Sequence, residues 1–516
     1  MIFRKNKILT AFILLIFILF LLMIYSNKPK MTIKENLLLS YTGHSKTVVI
    51  PEKVKEICEG AFTGNKIIEK VIFPKSLERV GDFAFADCEN LREVKLNDGI
   101  KEIGASSFTN TPWLDNMQDE FVIIGGSLLR YNGTSKNITL PNNVRVLTDV
   151  FRNSDIETIV LPSDLEVIGR DAFSACANLK NIDIPNSVTK IGPSAFSNCS
   201  ILNSIKIPDK VTKIEGKTFK SCDSLEEVFL PKSIELIGYG SFMDTGSLSN
   251  INLPSKTSFI GADAFRNSSI KEITLPIELI EIGPDAFRNT NLEKVIIPEK
   301  VRKIGDFAFK DSRNLTNISI PTDLFDIGYG VFDGTEWFGS FDGGFLIVGD
   351  GVLLKYSGDE DVEIPFGVKV IKKAFAYSNI RQVIIPESVV EIGRGAFKNS
   401  KLESIIIPFN VKIIGREAFL NCNKLGSIKM SVGLEEIKEK AFKGTSSLVE
   451  LEVPEGVKSI EDFAFSNCPK MMRIKLPESI EKMGEHIFYG TNNVVISSSG
   501  ILIKEYAERE KIPYSD

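Results

Sequence analysis

The apolar residues of this chain keep neither a helical period nor a simple alternation from end to end; they recur as a block every 22 or 23 residues. A phenylalanine, usually preceded by alanine, marks each block: Phe62, Phe85, Phe108, Phe151, Phe173, Phe196, Phe219, Phe242, Phe265, Phe287, Phe309, Phe332, Phe375, Phe397, Phe419, Phe442, Phe465 and Phe488. Fifteen of the seventeen intervals are 22 or 23 residues and the other two are both 43, so one short unit is tiled along the chain and interrupted twice. A unit this short cannot bury its own apolar face, and stacking turns each apolar position into a column of a shared core.

One copy runs Ile184-Pro185, Val188, Ile191-Gly192, Ala195-Phe196, Cys199, Leu202, Ile205 and Ile207. Its Leu-x-x-Ile-x-Ile stretch ends in an alternating β-branched pair, which predicts a strand, and the proline that follows in sixteen copies removes a ladder donor and ends it. The Ile-Gly step predicts a second short extended piece, closed by a residue free to take positive φ. Three residues after every Phe stands a small hydrogen-bonding side chain: Cys, Ser or Thr in seventeen copies and Asn65 in the first. That column predicts an internal ladder satisfying buried backbone groups, intolerant of Val. The five 22-residue intervals all lose their residue between this position and the Leu, where a turn absorbs length changes at least cost.

Solenoids need their ends covered. Residues 111–141 contain Trp113 and then Phe121 to Gly133, which reads as two strands around a glycine-rich turn; 335–365 repeat it with Trp337 and Phe345 to Gly358. A truncated third copy at Leu37 to Gly43 reads as an N-terminal cap, and Ile501 to Lys511 as a capping helix. The expected organisation is a basic tail and signal-anchor helix at 1–30, a cap at 31–50, a solenoid at 51–491 with extended repeats at 111–141 and 335–365, and a C-terminal cap at 492–516.

Charge adds an address. Residues 1–30 hold Arg4, Lys5, Lys7, Lys28 and Lys30 and no acid, so the rest of the chain carries a net charge of −10. Ile8 to Tyr25, with Thr10 as its one polar residue, would span ~27 Å as a helix at ~1.5 Å per residue, near the ~30 Å of a hydrocarbon core. No small-x-small cleavage site follows, so an uncleaved anchor is expected; a cleaved leader is the alternative. The basic flank places the bulk of the chain outside the cell. The remainder has no concentrated basic face, so no nucleic-acid partner is expected.

Catalytic chemistry finds little footing. His44 and His486, the two histidines, lie at opposite ends of an array of ~90 Å at ~4.8 Å per coil. Gly216-Lys217-Thr218 is similar to the end of a phosphate loop, but Val211 stands where its glycine is needed and the tripeptide keeps the repeat register. Cys176, Cys199 and Cys222 share the ladder column with Ser and Thr, which favours buried free thiols over disulfides. The acids Asp342, Asp350 and Asp359-Glu360-Asp361 lack EF-hand spacing and read as solvated loops. Neither a cofactor nor a metal is expected, and the chain reads as a non-enzyme.

The repeat, the Trp-containing extensions and the Tyr506-Ala507 to Ile512-Pro513-Tyr514 tail closely resemble the BspA-like (treponemal-type) leucine-rich-repeat family over about residues 37–516. The resemblance implies a β-rich right-handed solenoid and a cell-surface protein, with members implicated in adhesion to host matrix or other cells. Its motif is structural and transfers no catalytic or binding residue.

Between the two inward β-branched residues of each strand, one side chain must face solvent. Val160, Phe229, Ile296, Ile384 and Ile406 are apolar members of that column and the first candidates for partner contacts; Trp113 and Trp337, beside hairpins expected to protrude, are the second. The function expected is a binding or adhesion scaffold for an extracellular protein or glycan. The alternative is a structural surface protein that self-associates through the same column.

Overall fold

The strand-then-turn grammar of the repeat is what the chain adopts. The computed structural model describes residues 31–515; the expected membrane-spanning helix at 1–30 lies outside them. Among the described residues, no helix is long and apolar enough to cross a membrane. The chain forms two units, Met1–Ile270 and Lys271–Asp516, built on the same plan.

Each coil carries a two-residue strand at the Ile-Gly step and, except at residues 181–184, a three- or four-residue strand before the strand-ending position. In the first unit Ser204–Lys206 and Glu227–Phe229 pair in parallel, Ile205 beside Val228, and Lys213–Ile214 pairs with Leu236–Ile237. In the second, Ser404–Ile407 pairs with Ser427–Met430 and Ile413–Ile414 with Glu436–Ile437. The inward residues are buried, Ile428 partly so, and the outward residues Lys206, Phe229, Ile406 and Lys429 are exposed, as a period of two dictates.

Between the strands the Phe segment makes a third inter-coil ladder. Phe62 N–H donates to Ala84 O and Phe85 N–H to Ser107 O, both at 2.8 Å; Phe397 N–H to Ala418 O does the same in the second unit. Where two Phe coils adjoin, the rings stack at centroid distances of 4.7 to 5.9 Å and interplanar angles of 2 to 16°.

The glycine of Ile-Gly plays a different part from the one expected. Its φ is ordinary; a Cβ on Gly192 would stand 2.6 Å from Arg170 N, and one on Gly305 2.4 Å from Pro284 N. Close approach of the preceding coil's backbone is therefore the constraint. The three coils that follow a hairpin instead of another coil hold Cys58, Thr148 and Lys372 there. Positive φ sits two residues after every Phe, as at Asn198 (60°) and Asn399 (56°), and two before it in all copies except Asp149. Glu215, in place of Gly, coincides with a break in the short-strand ladder between Ile191 and Ile214; Lys438 does not disturb its ladder.

The hairpins are built into the stack and do not protrude. Phe121–Ile124 and Ser127–Tyr131 pair antiparallel around Gly125-Gly126, and Ser127 and Leu128 continue in parallel onto Val146 and Leu147. Gly344–Val348 and Val352–Ser357 repeat this onto Val370 and Ile371. Each hairpin opens a new sheet, so its outer strand shields that sheet's edge. The N-terminal copy is a complete hairpin, because Met31–Lys34 pairs with Leu37–Tyr41. In all three a tyrosine takes the ring position of the absent Phe: Tyr41 lies 5.0 Å from Phe62, Tyr131 5.7 Å from Phe151 and Tyr356 5.3 Å from Phe375.

Ahead of the two internal hairpins the chain makes one helical turn, α1 (Pro112–Asp115) and α2 (Glu336–Gly339), capped by Thr111 and Thr335. The last helix, α3 (Ile501–Glu510), closes the stack: buried Tyr506 accepts the Ile487 N–H on its hydroxyl at 2.9 Å, and Tyr514–Ser515 adds a parallel strand beside Val495–Ser497.

Candidate partner-binding surface

The predicted internal ladder is present. Cys88, Cys176, Cys199, Cys222, Cys422 and Cys468 each place Sγ within 2.9 to 3.3 Å of the carbonyl oxygen of the Phe one coil earlier, and Ser312 and Thr491 do so with their hydroxyls. Thr111, Thr245, Thr290, Thr335, Ser378 and Thr445 turn to the Phe carbonyl of their own coil. All seven cysteines are free thiols. Burial raises the Cys176 and Cys222 thiols to about 12, so they stay protonated and act as small donors.

Among the described residues no three His, Cys, Asp or Glu side chains converge on a metal position. Of the acidic loop, Asp350 is paired with Lys369 at 2.6 Å. Each extended repeat is crossed by an arginine–aspartate pair, Arg170 to Asp82 at 2.8 Å and Arg394 to Asp306 at 3.2 Å, and each pair is separated by 88 residues. Arg394 also covers the Tyr329 ring at 4.3 Å.

The strand column selected from the sequence lies on the outside. Val160 and Phe229 of the first unit and Ile296, Ile384 and Ile406 of the second are each more than half exposed. Ile384 and Ile406 occupy neighbouring strands whose inner residues, Val383 and Ile405, are paired. Trp113 and Trp337 behave otherwise. Both are half-buried, with rings 4.5 Å from Phe108 and 5.1 Å from Phe332, so they extend the aromatic stack past its last phenylalanine.

The missing residue of the short coils has a structural counterpart. In nine 23-residue coils the residue at the Leu position donates its N–H to the ladder residue, as Leu225 to Cys222 at 3.1 Å; the short coils lack that turn. Val160, Thr274, Ile296, Ile384 and Ile406 are the outward strand residues of those five short coils, four of them aliphatic, whereas Phe229 alone is apolar in the nine coils that keep the turn. Two consecutive short coils frame a groove of about 670 Å³ in the second unit, lined by Ile273, Thr274, Ile277, Val295, Ile296 and Pro298 among others.

A second outward column went unread in the sequence, the residue just after the strand-ending position. It is polar in fourteen of eighteen copies and apolar at Ile277, Phe366, Phe409 and Val432, all in the second unit and all exposed. Aligning the copies and asking which column departs from its own consensus would have found it.

Stacked 22- and 23-residue coils, each with two short parallel strands and a polar internal ladder, define a leucine-rich-repeat solenoid. The BspA type leucine-rich-repeat region model (6 copies) matches residues 32–149, 145–270, 235–342 and 368–495, and the chain belongs to that family. Solved structures similar to it include a leucine-rich repeat protein from Bacteroides ovatus (21% identity, 95% of this chain and 97% of that one, TM-score 0.34). A leucine rich cell surface protein from Faecalibacterium prausnitzii has 22% identity, covers 95% and 96% of the two chains, and scores 0.26. The T. pallidum leucine-rich repeat protein is 26% identical over 43% of this chain and 87% of its own, with a TM-score of 0.20. At these scores the family assignment rests on the repeat model alone. Among curated proteins there is no match.

Proposed function

We propose that this chain is a cell-surface leucine-rich-repeat scaffold that binds an extracellular protein or glycan without chemical turnover. Membership of the BspA-type family supports the scaffold reading, and the basic, apolar residues 1–30 support membrane attachment with the solenoid outside. The observation that carries the binding role is the outward strand column. Aliphatic side chains are held more than half exposed on short strands, each paired in parallel with a neighbouring coil, at the coils whose adjoining turn is missing. The contacts proposed are Val160, Phe229, Ile296, Ile384 and Ile406. Trp113 and Trp337, already packed on Phe108 and Phe332, would contribute only their outer edges.

The test displays the full chain on cells and screens host-matrix proteins, surface glycans and envelope proteins. A saturable hit lost on I384K/I406K supports the reading; a screen empty of hits sinks it. The same exposed apolar column favours one second reading, self-association, for which the diagnostic is capture of a tagged copy by an untagged one that disappears in F229K or I406K.

A further inference from the structure

Resting on the binding-scaffold reading, we propose that Phe366, Ile384, Ile406, Phe409 and Val432 form a docking facet for a protein segment that carries Lys or Arg among bulky aliphatic residues. The five come from four consecutive coils. Ile384 and Ile406 sit side by side on paired strands, and Phe366, Phe409 and Val432 occupy the position just past the strand end in the first, third and fourth coils. The core beneath is complete without them, because Ile364, Val383, Ile385, Ile405 and Ile407 fill it and are buried. Phe366 is 85% exposed, the highest value among the large apolar side chains of the described residues.

The facet is preorganised. Gly367, at φ 100°, turns the chain beneath Phe366 and donates its N–H to Ser388 Oγ at 3.0 Å, while that hydroxyl donates to Val368 O at 2.8 Å. Asn410, next to Phe409, donates its side-chain amide to Glu387 O at 2.6 Å and fastens the neighbouring turn. Little ordering is left to be lost on binding, which favours a specific contact over nonspecific adsorption.

Charge selects the occupant. Glu387 holds the second coil's place in the row of Phe366, Phe409 and Val432, and Glu363 lies beside Ile384 in the strand register. Neither of these two carboxylates forms an ion pair among the described residues, whereas Asp361 faces the charge of Arg381. Arg381 is engaged by Glu403 at 3.1 Å and Lys412 by Glu435 at 3.3 Å, while Lys429 bounds the far side beside Ile406. A partner that covers the aliphatic groups also desolvates Glu387, and an unpaired buried carboxylate is costly unless the partner supplies a cation. A neutral glycan would leave that charge unpaired. An isologous contact with a second copy would set the same carboxylates against each other.

The probe is a fluorescein-labelled twelve-residue peptide alternating Lys with Leu and Ile, titrated by anisotropy against the full chain in phosphatidylcholine nanodiscs. A Glu-for-Lys peptide is the counterpart. Expected are at least tenfold weaker binding of the basic peptide to I384K/I406K and to E387K, and at least tenfold weaker binding of the acidic peptide to the wild type. E226K/E227K, which makes a charge change of the same sign in the first unit, should stay within twofold. All substituted side chains are exposed, so circular dichroism and the melting temperature should not move. Unchanged affinity in the facet variants, equal binding of the acidic peptide, or self-capture lost in I406K would each overturn the proposal. A display-screen partner that survives I384K/I406K would overturn this site and leave the scaffold reading standing. Facet-dependent peptide capture with an empty screen would do the reverse.

Discussion

The ladder column can be tested at Thr335, where it carries two duties at once. The side chain is buried; Oγ1 donates to Phe332 O at 2.8 Å and accepts the Phe338 N–H at 3.2 Å as the cap of α2. Thr335→Val keeps the shape and removes both bonds. A lost N-cap costs about 1 kcal/mol. The Phe332 carbonyl keeps its bond from the Thr335 N–H at 3.2 Å, so the second loss falls near the lower end of the range, again about 1 kcal/mol. Together about 2 kcal/mol raises the local opening equilibrium roughly 30-fold, since each 1.4 kcal/mol is tenfold. In a solenoid that opening is felt by the coil and its neighbours before the whole array. Hydrogen exchange of peptides covering residues 332–357 should therefore accelerate about 30-fold in T335V and stay within about threefold of wild type in T335S, which retains both bonds. If valine and serine exchange alike, the column is packing only and the hydrogen-bond argument for its composition fails.

Four further outcomes follow from the same geometry. Native protein should react with a thiol reagent at Cys58 alone, the one cysteine not fully buried, and at all seven cysteines after denaturation; rapid native labelling of Cys199 or Cys222 would contradict the ladder. Because burial raises these thiols in the folded state, their contribution to stability is intact below the unfolded thiol range near ~8.5 and falls as pH rises above it, which urea midpoints between pH 8 and 11 will show. Tyr506→Phe removes the hydroxyl that accepts the Ile487 N–H and should loosen residues 482–497 by about 1 kcal/mol, read as roughly fivefold faster exchange confined to the C-terminal coil. A double-mutant cycle on Arg394→Ala and Asp306→Ala should give a coupling of no more than about 1 kcal/mol, since both side chains are about a third or more exposed, and high salt should reduce it.

Most of the fold was legible because a repeat states each structural requirement many times over. Strand positions, the proline stops, the ladder column and the place of the deletions could be read from aligned copies of one unit. The glycine of Ile-Gly was placed correctly and explained wrongly. Its reason is the neighbouring coil's backbone, a contact between residues about 23 apart that no local rule contains. The signal for the true left-handed position was nonetheless present: fifteen of the eighteen residues two places after Phe are Asn, Asp or Gly, the types that tolerate positive φ. The hairpins were expected to stand out from the stack because their length was read without their register. Only the parallel pairing of Ser127 with Val146 and of Val352 with Val370 makes each one a turn of the solenoid.

The site was less legible for a reason that follows from the same repetition. Columns facing the core are constrained by the coils on either side, so a departure there is a structural fault; columns facing solvent are free, and a departure there carries information about something outside the chain. The apolar members of the strand column were found because strand alternation assigns that column to the surface. Phe366, Phe409 and Val432 were passed over because no periodicity assigns a face to a turn residue past the strand end. Their exposure, their adjacency to Ile384 and Ile406, and the carboxylate of Glu387 in their row make one surface of two columns that the sequence presents separately. The five deletions point the same way. Removing the turn before a strand costs a backbone hydrogen bond of the kind Leu225 makes to Cys222 and gains the core nothing. In four of those five coils an aliphatic residue is presented beside the gap, which is the arrangement expected of a surface shaped for contact.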